Sequence, residues 1–97
     1  MPSPLTPADL TAALAALPGW ALTGDALAKE FKFGSFREAM AFMVRVSYEA
    51  EAMDHHPDWT NVYNRVAIRL STHAAGGKVT ALDVELAHKI QRISWVG

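Results

Sequence analysis

The segment RVAIRLSTH, residues 65 to 73, alternates along its length: Val66, Ile68, Leu70 and Thr72 fall on one side of an extended chain, Ala67, Arg69, Ser71 and His73 on the other. The alternation predicts a strand with one buried face, so a fold that contains it must bring apolar cover to that face. A turn within residues 61–64 leaves room for a second strand ahead of it.

Three segments carry helical spacing and can supply the cover. Thr6 caps the first, with Pro7 at a position where a missing N–H costs nothing and Asp9 in the first turn, where the helix dipole favours it. Leu10, Leu14 and Leu17 form its stripe, and Pro18-Gly19 ends it. Ser35 and Glu38 read as a capping box ahead of a helix of about five turns with a stripe of Phe36, Met40, Met43, Ser47 and Ala50. Thr80 caps the last helix, TALDVELAHKIQRISWV, with Asp83 three residues on. Between the first two, WALTGDALAKEFKF reads as two short strands about a turn at Thr23-Gly24-Asp25. Short hairpins imply antiparallel pairing, and amphipathic helices need a sheet face to cover. The expected fold is therefore α+β, one domain of residues 1–97 in the order α-β-β-α-β-β-α, a four-stranded antiparallel sheet with three helices packed on one face. The bare face and an edge strand offer a place for self-association.

At 97 residues, about half of them apolar, the chain is the size to bury one core, and a single domain is the expectation. Its net charge of -1, with no block of Lys or Arg, gives no electrostatic footprint for nucleic acid or an anionic membrane. The absence of cysteine removes disulfides and thiolate chemistry. The apolar run near the N-terminus lacks a basic flank and contains Asp9, so it reads poorly as a signal peptide, and no stretch approaches the roughly 20 apolar residues of a spanning helix. A cytoplasmic protein is the expectation.

Of four histidines in the chain, two are adjacent in EAMDHHPDW, residues 51–59. Pro57 cannot sit inside a helix and biases His56 away from helical angles, so the central helix should stop at or just before the pair. His73 ends the strand at the mouth of the loop AAGGK. Two element ends and a loop can converge on one pocket, and imidazole, with an unperturbed pKa of ~6.5, both gives and takes a proton near neutral pH. The candidate constellation is Glu51, Asp54, His55, His56 and His73, with Pro57 fixing the pair and Trp59 near enough to wall a pocket for a flat ring. Plainer readings stand beside it: a solvated helix end favoured by the dipole, surface carboxylates at Glu51 and Asp54, a capping role for Asp83, and His88 on the surface. His55, His56, His73 and Asp54 offer donors enough for zinc, but their spacing matches none of the usual helix-borne patterns. Ser71, His73 and Asp83 lack the nucleophile elbow of a triad, and GGK lacks the spacing of a phosphate loop.

Taken together, DHHPDW, NVYNRVAIRLSTH, a Gly-containing loop and an Asp opening the final helix closely resemble the pterin-4a-carbinolamine dehydratase family. The pattern is met by Glu51, His55-His56-Pro57, Tyr63, Ser71-Thr72-His73 and Asp83, and LAKEFKFGSFREAMAFMVRV is similar to the family's second strand and central helix, so the resemblance covers roughly residues 10 to 96. It implies dehydration of 4a-hydroxytetrahydropterin to the quinonoid dihydropterin, in the recycling of tetrahydropterin for an aromatic amino-acid hydroxylase. It further implies the same α-β-β-α-β-β-α fold, a homodimer or homotetramer, and no metal or organic cofactor. Carried over by position, His55 and His73 are the acid–base pair, and His56 binds substrate and assists the leaving hydroxyl. Glu51 orients a histidine or the pterin, and the segments Asp54 to His56 and Ser71 to Ala74 contact the pterin. Asp83 has a supporting place, and Ala74 stands where relatives often carry an acidic residue.

Overall fold

The structure, a computed structural model, describes residues 2–97. Its elements run α1 (Pro7–Ala15), β1 (Ala21–Thr23), β2 (Ala26–Lys32), α2 (Phe36–Met53), β3 (Asp58–Val62), β4 (Arg65–Leu70) and α3 (Ala81–Ile93), which is the expected order. The sheet is antiparallel throughout, in the order β1-β2-β4-β3, so the two hairpins join through β2 and β4, from Leu27 opposite Leu70 to Lys32 opposite Arg65. Among the described residues no helix is long and apolar enough to cross a membrane.

The alternation in β4 sorts its side chains as the sequence predicts. Val66, Ile68 and Leu70 are buried with Leu27 and Phe31 of β2, while Arg65 and Arg69 share the open face with Glu30, Lys32 and Asp58. The helices close the buried face with Ala39, Phe42, Val46 and Ala50 of α2 and Leu86, Ala87 and Ile90 of α3. Phe42 lies at the centre, its ring 4.9 Å from that of Phe31 and 4.8 Å from that of Phe33.

Five details depart from the sequence reading. α1 stops at Ala15, ahead of Pro18-Gly19, and Leu17 reaches the core from the turn that follows. In α2 the buried stripe is Ala39, Phe42, Val46 and Ala50, while Phe36 and Met40 are exposed. The helix is apolar over a wide arc, and alanines at 39 and 50 let that side approach the sheet closely, which periodicity alone does not reveal. The capping box there is half formed: Ser35 Oγ accepts from the Glu38 N–H at 3.2 Å, but the Glu38 carboxylate accepts from Gly34 N–H and the Trp95 indole instead of from Ser35. α3 ends at Ile93, and Trp95 folds back onto Phe33 with ring centroids 5.1 Å apart. Finally, β4 stops at Leu70, so His73 belongs to a single 3-10 turn, His73–Ala75, and not to the strand. A Thr72–Lys78 backbone pair closes that loop, and Gly76 and Gly77 take successive left-handed angles of φ 73° and 80°, which explains the paired glycines.

Candidate active site

At the end of α2 the chain forms a Schellman motif. The Asp54 N–H bonds to the Glu51 carbonyl at 3.0 Å and the His55 N–H reaches back to the Ala50 carbonyl at 3.0 Å. Closing those bonds requires a left-handed residue, and Asp54 supplies it at φ 49°, ψ 42°, a conformation Asp tolerates better than most residues. The motif folds His55 back under the helix, where it is buried, while His56, one residue further and held extended ahead of Pro57, stays exposed. Local backbone geometry thus sends two adjacent imidazoles to different environments.

His55 Nε2 lies 2.6 Å from Asp83 Oδ1. Asp83 is fully buried, and its second oxygen accepts from Thr72 Oγ1 at 2.8 Å and from the Thr80 N–H at 2.8 Å. The last of these contacts belongs to the capping box of α3, in which Thr80 is the cap and Asp83 its reciprocal partner. Asp83 therefore caps the helix with one oxygen, as the capping reading expects, and meets His55 with the other. His56 Nε2 lies 2.8 Å from Glu51 Oε1 on the surface, so Glu51 meets a histidine and does not itself line the cavity.

Asp54, His55, His56, Ser71, Thr72, His73 and Ala74 all line one cavity of about 480 Å³, within the range of small-molecule sites. These are the residues of the two segments singled out from the sequence, brought together by the end of α2, the end of β4 and the 3-10 turn. Leu82 and Pro2 complete the lining; Leu82 follows from its place in the first turn of α3, whereas nothing in the local sequence signals Pro2. Trp59 does not reach the cavity: its register opposite Ile68 turns it to the helix side of β3, where it packs half-buried on the core. Pro57 is half-buried and acts on the backbone. The buried hydroxyl of Thr72 is bonded to Asp83 and Thr80. Thr80 is the member of this network that the sequence reading treats only as a cap. His88 lies on α3 outside the cavity. Among the described residues no three His, Asp or Glu side chains converge in a way that can hold a metal ion.

Chemically, the cavity offers one imidazole backed by a buried carboxylate, a second imidazole on a turn and a third paired with a surface carboxylate. A flat polar molecule bound there meets proton donors and acceptors from several directions.

The comparisons with known proteins point the same way. The family model for pterin 4 alpha carbinolamine dehydratase matches residues 3–93. A protein of Opitutus terrae that bears the provisional name pterin-4-alpha-carbinolamine dehydratase is 63% identical over 97 residues, covering 100% of both chains. One of Mesorhizobium japonicum with the same provisional name is 55% identical over 83 residues, 84% of each chain. The crystal structure of a transcriptional coactivator/pterin dehydratase from Brucella melitensis superposes with a TM-score of 0.90 at 41% identity, covering 97% of this chain and 99% of that one. By sequence over its whole length and by fold, the chain belongs to the pterin-4-alpha-carbinolamine dehydratase family, an enzyme family of hydro-lyases.

Proposed function

We propose that the cavity binds a 4a-hydroxytetrahydropterin and eliminates water from it. The C4a–oxygen bond breaks and the departing oxygen takes up a proton. The neighbouring ring N–H gives up its proton, and a C=N bond forms to yield the quinonoid dihydropterin. The reaction is redox-neutral and needs one acid and one base, which His55 and His73 provide, while His56 holds the substrate and assists the leaving hydroxyl. Glu51 orients His56, Asp83 orients His55, and the backbone of Asp54 to His56 and Ser71 to Ala74 frames the pterin.

The observation that carries this reading is the buried His55–Asp83 contact of 2.6 Å at the wall of a cavity that His73 also lines. A surface cap would need neither the carboxylate nor the cavity. Spectrophotometric conversion of a 4a-hydroxypterin by the purified protein tests it. His55→Ala and His73→Ala should each lower kcat on the order of a hundredfold or more, the usual worth of a positioned general acid or base. Variants that turn over substrate like the parent would remove the assignment.

The cellular task in this reading is cytoplasmic regeneration of tetrahydropterin for an aromatic amino-acid hydroxylase, by a homodimer or homotetramer. Support for assembly comes from α2. Because α3 packs over β2 and α2 over β4, the flank of α2 turned away from α3 lies on the side of the edge strand β3, and it exposes Phe36, Met40 and Val44. The open sheet face, where the sequence suggested association, is instead lined with charges, so the apolar flank is the better interface.

A further inference from the structure

We propose that Thr72 and Thr80 are positioning residues, a two-hydroxyl relay that commits His55 to one tautomer through Asp83. The proposal rests on the reading of His55 as a proton-transferring group.

The directions of the hydrogen bonds carry the argument. Thr80 Oγ1 accepts from the Leu82 N–H at 3.2 Å, which leaves its own proton for Thr72 Oγ1 at 2.7 Å. Thr72, having accepted there, donates its proton to Asp83 Oδ2 at 2.8 Å, and the same oxygen accepts from the Thr80 N–H at 2.8 Å. A hydroxyl has one proton, so this is the assignment in which every contact contains one. Two donors on Oδ2 stabilise Asp83 as a carboxylate, so the relay assigns Oδ1 the acceptor's part, 2.6 Å from His55 Nε2, and the proton between them to the imidazole.

Thr72, Thr80 and Asp83 are 3%, 0% and 0% exposed, so water does not substitute for any of these partners. With Nε2 protonated, neutral His55 keeps its lone pair on Nδ1. That atom bonds to none of the described residues, yet no buried side-chain nitrogen or oxygen among them lacks a partner; Nδ1 is therefore open, on a residue that lines the cavity. The relay makes resting His55 a proton acceptor toward the substrate. The opposite direction, with a proton on Asp83 donated to Nε2, would put an N–H on Nδ1 and make it a donor.

The test is the His55 tautomer, read by nitrogen NMR of imidazole-labelled protein without substrate, together with kcat and KM for dehydration. The parent should show Nε2–H. Thr72→Val, close in shape but without the hydroxyl, should give mixed tautomers and a kcat about tenfold lower, the scale of one hydrogen bond, with little change in KM. Thr72→Ser should restore the parent tautomer and most of the rate. Thr80→Val should act in the same direction but more weakly, and the double variant should be no worse than Thr72→Val, because Thr80 works through Thr72. An unchanged tautomer in Thr72→Val, or a raised KM at constant kcat, would overturn the relay and return Thr72 to the substrate contacts. If Thr72→Val does not fold, Thr80→Val decides by the same signal. A parent without dehydratase activity would sink the proposed function, and the tautomer would still decide the relay.

Discussion

His55 and His56 are neighbours in sequence and opposites in environment, and the residue that separates them is Asp54. Its left-handed backbone closes the Schellman motif that turns His55 inward to Asp83. Asp83→Asn is the sharpest single change at this scale. The amide oxygen can keep the bonds from Thr72 and Thr80, but its NH2 then faces Nε2 and favours the tautomer with the proton on Nδ1. The expected outcome is a folded protein with kcat lowered on the order of ten-thousandfold, comparable to losses when the carboxylate behind a catalytic histidine is made an amide. Circular dichroism and steady-state rates check it, and a rate near the parent's would mean that the carboxylate only caps α3. The segments Asp54 to His56 and Ser71 to Ala74, which line the cavity, were marked out by the family resemblance, whereas the histidine constellation was legible from residue type and spacing. The double duty of Asp83 was not, because a capping box explains the residue completely until the tertiary contact with His55, 28 positions earlier in the chain, is seen.

Among the elements, β4 was legible because one strand face is buried and one is open, a pattern with a single solution. In α2 the stripe expected from the sequence, Phe36, Met40, Met43, Ser47 and Ala50, is turned by about one residue from the buried Ala39, Phe42, Val46 and Ala50, because two flanks of the helix repeat apolar residues equally well and size favours Phe36 and Met40 over Ala39. A pair of truncations separates the two faces. Phe42→Ala empties a fully buried site between Phe31, Phe33 and Trp95 and should cost about 3–5 kcal/mol. Met40→Ala, on the exposed flank, should cost the isolated protomer less than about 1 kcal/mol. Urea unfolding at matched, low protein concentration measures both, and equal losses would contradict the burial pattern. His73 shows another limit of periodicity: the alternation runs on to residue 73, but the chain leaves the strand after Leu70 to make the 3-10 turn that brings His73 to the cavity.

For the whole molecule the property at this scale is assembly, and α2 contains a self-complementary pattern. An antiparallel copy of the helix, related by a two-fold axis at Val44, sets Met40 opposite Tyr48 and Arg37 opposite Glu51. The apolar side chains then meet at the centre and opposite charges at the ends, and the helix dipoles oppose each other. Val44 and Tyr48 are 50% and 74% exposed in the single chain, so such an interface would bury them without repacking the core. Val44→Glu places two carboxylates at the axis, where neither finds a partner. It should weaken association roughly a hundredfold or more while leaving each protomer folded. Lys32→Glu, on the charged open face of the sheet, should leave the mass unchanged. Sedimentation equilibrium of the two variants beside the parent reads the outcome. A mass that falls with Lys32→Glu but not with Val44→Glu would move the interface to the open sheet. If the parent were a monomer at all concentrations, the exposed flank of α2 would need another partner. In a dimer built this way Glu51 of each copy would lie close to the other copy's Arg37 as well as to its own His56, 2.8 Å away, so Val44→Glu should also raise KM if His56 binds the substrate.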